Sequence, residues 1–329
     1  MFIQLVLSFA IALTIVLAVM PFVLPLLRKL KFGQTIYELG PKSHAVKQGT
    51  PTMGGLVFAV ATVITSIIIH GAWYGWTDAT LALLFVSVLS MLIGFLDDYI
   101  KIVKKRNLGL IWWQKIIGQL LVSVAFSCYC YFHPHIGSVI IVPFCSFGWN
   151  LGIFYIPLMT CMMIFLINSA NLQDGLDGLL SSVTIICTLA FVGATLLLFP
   201  MDTSSNFQSV GLFAATLCGG CLGFLFFNRY PAKVFMGDTG SMFIGGAIVG
   251  MAMLLRMPLF LLFIFFTPIM SSLSVIIQRI YFKVTHGKRI FKMSPIHHHF
   301  EYCGMSENKI VGMYVIVTLL LSAIALIAL

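Results

Sequence analysis

"LALLFVSVLSMLIGFLDDYIK", residues 81 to 101, stays mostly apolar for a membrane crossing and then ends on two adjacent carboxylates and a lysine. A helix crosses the hydrocarbon core with about 20 apolar residues, so residues 79 to 96 read as a transmembrane span with Asp97 and Asp98 at its polar end. Runs of the same kind recur at about 2 to 27, 53 to 70, 116 to 132, 149 to 167, 179 to 199, 210 to 227, 241 to 256, 258 to 281 and 309 to 328. The composition agrees: of 329 residues, 60% are hydrophobic and only 9% charged, against about 25% charged in soluble domains. The chain reads as an all-α integral membrane protein, a single polytopic domain over residues 1–329 with about ten transmembrane helices. The first run is too long for a signal-peptide core of roughly 7 to 15 residues, and basic residues follow it instead of preceding it.

Lysine and arginine accumulate in cytoplasmic loops. With ten alternating spans, 18 of the 19 fall on one side and only Arg256 on the other, which places both termini outside. The acids segregate likewise, with only Asp78 and Asp202 outside. The active site is therefore expected on the cytoplasmic face. The net charge of +9 suits the lipid bilayer's anionic headgroups and an anionic substrate. Eight cysteines, most inside spans, suggest no disulfide framework; "CGGC" (218–221) and the pairs Gly219/Gly223 and Gly246/Gly250 read as close helix packing.

Carboxylates near membrane depth are costly and mark functional sites. Three clusters qualify. Asp97 and Asp98 are followed one turn later by Lys101, which supports either a solvated helix end with i to i+4 ion pairs or a charged site. In "INSANLQDGLDGLL" (167–180), Asn168, Asn171, Asp174 and Asp177 recur every third residue beside Gly175 and Gly178, suited to polar-ligand recognition or to capping at a turn. In "FNRYPAKVFMGDTGSMFIGG" (227–246), Asp238 sits in a turn before a span, where it could cap the helix; the same loop supplies Asn228, Lys233 and Phe235. Lysines for phosphate charge, carboxylates for a hard cation and glycine loops together point to metal-assisted phosphoryl transfer, with Mg²⁺ fitting oxygen donors better than histidines.

"KQGTPTMGG" (47–55), "FLDDYIK" (95–101), "NLQDGLDGL" (171–179), "NRYPAKVFMGDTGS" (228–241) and "MSPIHHHFE" (293–301) resemble, in order, the motifs of the phospho-N-acetylmuramoyl-pentapeptide transferase family. The wider superfamily of polyprenyl-phosphate N-acetylhexosamine-1-phosphate transferases shares the Asp-Asp pair, but the uninterrupted "IHHHFE" with "GTPTMGG" is similar to the pentapeptide branch. The resemblance implies an enzyme of the bacterial cytoplasmic membrane that transfers phospho-MurNAc-pentapeptide from UDP-MurNAc-pentapeptide to undecaprenyl phosphate, releasing UMP with Mg²⁺ as cofactor. A sister enzyme using UDP-GlcNAc is the alternative, and a nucleic-acid partner is not expected; a homodimer stays open.

By matching positions, the resemblance implies Asp97, Asp98 and Asp238 as catalytic, with Asp238 the metal ligand. Gly175, Leu176, Asp177, Asn228 and Phe235 would form a uracil pocket. Lys47, Thr52, Asn171, Asp174, Gln278, His297 and His298 would line the sugar and diphosphate region, with Lys105 and Lys115 as phosphate partners. Three adjacent histidines cannot all face one ion from a regular helix, and zinc sites draw on spaced ligands. The run therefore reads as donors to a diphosphate, His297 and His298 in contact and His299 holding the loop. A transporter is the other class; it would place its charges at midplane in matched broken helices, and no such pair is evident. A groove between the ninth span and its neighbours is the expected route of the prenyl tail to Asp97, with Pro268 marking a bend and Gln278 a polar entry point.

Overall fold

The computed structural model describes residues 1–29, 49–73, 75–104, 109–145, 147–198 and 205–329. Its long helices are α1 (Phe2–Lys29), α2 (Gly55–Trp73), α3 (Asp78–Val103), α4 (Trp112–Phe132), α5 (Tyr155–Gln173), α6 (Leu179–Leu198), α7 (Ser205–Asn228) and α8 (Gly237–Leu254). They are followed by the short α9 (Leu261–Ile264), α10 (Phe266–Val284), the short α11 (Ile296–Tyr302) and α12 (Glu307–Ile327). Among the described residues nine helical segments are long and apolar enough to cross a membrane, and Pro258–Ile264 with Phe266–Val284 makes a tenth as a pair bent by 86°.

Nine candidate spans, or ten with the bent pair counted as one, agree with the expected number of about ten. The ninth is a bent pair instead of a straight helix, and its break at Phe265 lies just before Pro268, in keeping with the bend that this proline marks. Pro268 lies in the first turn of α10, where a missing backbone N–H has no intrahelical partner to lose. A second departure from pure helix is a two-stranded antiparallel hairpin, β1 (Val139–Ile141) and β2 (Gly148–Asn150), with Ile140 opposite Trp149.

Helix α8 is the centre of the bundle: every residue from Thr239 to Leu254 is buried. A helix apolar on all sides is covered on all sides. Small residues set how close its neighbours come. A Cβ on Gly246 would stand 2.6 Å from the Ser90 hydroxyl and one on Gly250 2.8 Å from Val86, so α3 lies against α8 along a glycine seam. Gly219 and Gly223 do the same for α7 against Phe9 and Val16 of α1, and Cys218 and Cys221 are buried in that packing as free thiols. Without a hydrophobic drive between helices in lipid, such close backbone approach supplies the van der Waals contact that holds them.

The two ends of the bundle differ. At one end Asp78 opens α3 and meets His133 after α4 at 2.6 Å, and Arg256 donates from Nε to the Val139 carbonyl at 3.0 Å beside the hairpin. Asp97 and Asp98, five turns along α3, lie at the other end with Asp238.

Candidate active site

Helix α3 does not stop at the apolar boundary but continues to Val103, which puts Asp97, Asp98 and Lys101 on one helix end. The Lys101 ammonium is 2.6 Å from Asp97 Oδ2, 3.6 Å from Asp98 Oδ1 and 3.3 Å from Asp238 Oδ2. The two readings of the Asp-Asp-x-x-Lys stretch converge: the i to i+4 ion pair exists, and it is built into a three-acid centre. Ligand oxygens of Asp97, Asp98 and Asp238 all lie within 4.8 Å of one another.

Asp238 is not the cap of α8. The N-cap is Met236, with no side-chain cap bond, and Asp238 stands in the first turn. There the positive end of the helix dipole favours an anion, and the carboxylate turns sideways to its partners. Lys115 of α4 donates to its Oδ2 at 2.7 Å and Asn171 of α5 to its Oδ1 at 2.8 Å. Asn171 also donates to Ser241 at 2.9 Å. Asp98 accepts from both the backbone N–H and the hydroxyl of Thr239, at 2.9 and 2.7 Å, and Asp97 accepts from the Leu110 N–H at 2.9 Å. Four helices therefore meet at one cluster. The α3–α8 crossing is tightest here, because a Cβ on Gly94 would strike the Asp238 carbonyl.

The 51–55 segment is laid against the turn before α8. Phe235 N–H donates to the Pro51 carbonyl at 2.8 Å, and the Gly54 and Gly55 N–H groups to the Phe235 and Met236 carbonyls at 2.9 and 3.0 Å. Gly237, at φ +75°, lies against Thr52 and Asp98; a Cβ there would be 2.9 Å from the Thr52 hydroxyl and 2.6 Å from Asp98 Oδ2. Thr52 thereby joins the acid centre, and Phe235 is left half-buried beside it.

The turn from Asp174 to Gly178 links α5 to α6. Asn168 does not share the direction of Asn171; it pairs with Gln119 at 2.7 Å, as three-residue steps on a helix drift apart. Asn228 ties this turn to α7, accepting from the Gly178 N–H at 3.1 Å and Ser181 at 3.0 Å while donating to the Val234 carbonyl at 3.0 Å. Asp177 accepts from the Ala232 N–H at 2.9 Å, and its own N–H donates to Glu307 at 3.3 Å. Leu176 is buried. Burial first, then the charges of Asp238, Asp98 and Asp177, push the Asp174 carboxyl up to about 8.

The histidine run folds into α11, and His297 and His298 come to Gly175: a Cβ there would collide with the His297 ring and lie 3.1 Å from His298 Nε2. The two rings are 4.3 Å apart, and His298 pairs through Nδ1 with Glu301 at 2.7 Å. His299 accepts at Nδ1 from the Lys292 N–H at 3.1 Å, so it ties the preceding loop. Gln278 spends its amide on the main chain, donating to the Phe291 carbonyl at 3.0 Å and accepting from the Ile290 and Phe291 N–H groups. Lys47 and Lys105 lie outside the described residues.

Lys101, Thr239, Ser241 and Glu307 were absent from the expected site set. The first had a signal in its one-turn spacing from Asp97; the hydroxyls had only their place beside Asp238, and nothing in the sequence places Glu307 at Asp177. Three carboxylates face two ammonium groups in the cluster, which leaves an excess negative charge. Hard oxygen donors with a net negative charge fit a divalent cation such as Mg²⁺.

Fold and site define a multi-pass membrane protein with an acid–lysine centre at one end of its helical bundle. Residues 80–256 match the model of glycosyl transferase family 4, and residues 47–58 match the phospho-N-acetylmuramoyl-pentapeptide-transferase signature 1. A phospho-N-acetylmuramoyl-pentapeptide-transferase of Clostridium botulinum (strain Eklund 17B / Type B) is 48% identical over 309 residues, 94% of this chain and 91% of the relative. Those of Acetivibrio thermocellus and Clostridium kluyveri (strain NBRC 12016) are each 44% identical, over 98% and 99% of this chain and 94% and 99% of theirs. The chain belongs to the phospho-N-acetylmuramoyl-pentapeptide-transferase family, and is a membrane transferase.

Proposed function

We propose that the protein transfers phospho-MurNAc-pentapeptide from UDP-MurNAc-pentapeptide to undecaprenyl phosphate in one step, releasing UMP, at the cytoplasmic face of the bacterial cytoplasmic membrane with both termini outside. The observation that carries this is the meeting of Asp97, Asp98 and Asp238 with Lys101 and Lys115, beside a turn reached by His297 and His298. Phosphoryl transfer needs little covalent chemistry from the protein; positioning and charge stabilisation carry it.

In this reading Asp238, with Asp97 and Asp98 nearby, holds Mg²⁺, which when bound neutralises charge on the donor's diphosphate. Lys115 and Lys101 stabilise charge that spreads over the transferring oxygens. His297 and His298 donate to the diphosphate, and Asp174, in the turn that they reach, lines this region with them. Phe235 stacks on the uracil, with Gly175, Leu176 and Asp177 forming its pocket. Thr52 and Asn171 hold the site together from either side, as Asn228 and Gln278 do for the loops through their committed amides. Lys47 and Lys105 are further phosphate partners in this reading.

Asp97 positions and arranges charge more than it removes a proton. A phosphate monoester has its second pKa near 6, so the acceptor is mostly dianionic at about pH 7, and the Asp97 carboxylate is already engaged by Lys101 and the Leu110 N–H.

Purified protein incubated with undecaprenyl phosphate, Mg²⁺ and radiolabelled UDP-MurNAc-pentapeptide or UDP-GlcNAc tests the reading. Labelled lipid is expected from the first donor; label from the second alone would identify the sister activity, and none from either would reject both. A phosphorylated enzyme isolated after incubation with the donor alone would reject the one-step scheme.

A further inference from the structure

We propose that the groove between the outer half of α10 and the chain that folds back after it binds the headgroup of an anionic bilayer phospholipid. The groove encloses about 860 Å³ and is lined by Arg279 and Lys283, one turn apart on α10, by Arg289 and Lys292 from the returning chain, and by the apolar Ile280 and Phe282. No acid lines it. Among the described residues none of the four cations forms an ion pair. Like charges converging on one concavity raise its potential and concentrate anions there.

The surroundings select which anion. The 86° bend throws α10 away from the line of its first half. Ser271, Ser272, Ser274 and Gln278 on one side are buried, whereas Ile276, Ile277, Ile280 and Val284 are 43 to 71% exposed. Within a membrane-spanning segment such a face meets hydrocarbon, and the basic groove follows at its polar end. A ligand that satisfies both is anionic at the head and apolar behind it, which is the arrangement of an acidic phospholipid against juxtamembrane basic residues. The groove meets the expected donor site only at Gln278, and none of Asp97, Asp98, Asp238, Lys101 or Lys115, where an acceptor would react, lines it.

Headgroup binding has a consequence for the histidines. The returning chain is held to α10 by Gln278 on residues 290 and 291 and by the Ile296 N–H on Ser274 at 2.9 Å, and it carries α11. A phosphate bridging Arg279 and Lys283 to Arg289 clamps that fold-back and with it His297 and His298. Lipid binding itself does not depend on the proposed reaction.

The test uses the full chain purified in detergent with equal phosphatidylglycerol and phosphatidylcholine, retained lipid being read by native mass spectrometry. Wild type is expected to keep phosphatidylglycerol selectively. The Lys283→Gln/Arg289→Gln double variant should lose that retention by about tenfold or more, while Lys283→Arg/Arg289→Lys keeps it. Excess inorganic phosphate or undecaprenyl phosphate should not displace the phospholipid from wild type. Equal retention by the neutralised variant, loss in the charge-conserving one, or one-for-one displacement by undecaprenyl phosphate would overturn the proposal. The displacement experiment decides even if the neutralised variant does not fold.

Discussion

Lys101 on α3 lies 3.3 Å from Asp238 on α8 while it holds Asp97 of its own helix at 2.6 Å. Its ammonium neutralises the same carboxylates that a divalent cation would neutralise, so the two compete. Lys101→Met is expected to bind Mn²⁺ more tightly, by about tenfold if one charge–charge contact of about 1.4 kcal/mol is released, as read by electron paramagnetic resonance. Without metal the variant should be less stable by about 3 kcal/mol, because buried carboxylates lose their counter-charge. Unchanged Mn²⁺ affinity would contradict the competition.

The α3–α8 crossing makes a second, purely steric expectation. Gly94→Ala drives a methyl into the Asp238 carbonyl, and the atoms it meets there belong to the backbone of Asp238 and Thr239, which cannot rotate away. A loss of about 3 kcal/mol is expected from overpacking, with activity reduced in proportion to the displacement of Asp238. Gly71→Ala, where nothing lies within 4 Å of the added atom, is the control and should leave the melting temperature unchanged in the same detergent.

Asp174 carries the pH dependence. Its carboxyl is raised to about 8 by burial and then by Asp238, Asp98 and Asp177, so the folded state keeps a proton that the unfolded chain releases near pH 4. The folded state therefore binds more protons in that window, and stability falls as pH rises from about 4 to about 8. Asp174→Asn removes the effect: it should raise the melting temperature of the metal-free protein at pH 8.5 and change it little at pH 4.5. An equal shift at both values would exclude titration of Asp174 as the cause.

Asp97 separates positioning from proton removal. If Asp97 chiefly positions, the residual activity of Asp97→Asn stays low above about pH 8, where the acceptor phosphate has already lost its proton. A strong recovery there would make it the base.

Gly175 tests the histidine contact. Gly175→Ala places a methyl on the His297 ring and should raise KM for the UDP donor by about tenfold or more while leaving Mn²⁺ binding intact. A change in kcat alone would place the histidines elsewhere in the reaction.

Hydrophobicity and charge act along the chain, so one-dimensional reading reached them. Each span from residues 2 to 328 is a continuous apolar run, and the lipid solvent requires its backbone to close its own hydrogen bonds as helix. The same locality made the glycine packing of Gly219, Gly223, Gly246 and Gly250 and the Asp97–Lys101 ion pair legible. The bend was legible from Pro268, which cannot donate to the Ile264 carbonyl one turn before it and so interrupts the helix there; only its size, 86°, was left to the fold.

The chemistry of the acids needed the third dimension. Asp238 reads in sequence both as a candidate helix cap and, through the resemblance, as a metal ligand, and only the packing of α3, α4 and α5 around α8 shows its carboxylate turned toward Lys101, Lys115 and Asn171. Gln278 is a ligand contact by the resemblance, and the structure adds that its amide holds residues 290 and 291. Composition and periodicity determine which segments must enter the membrane, because that free energy is summed residue by residue. Which polar groups then face one another depends on helix rotation and crossing, which are set by close packing between segments as far apart as Gly94 and Asp238.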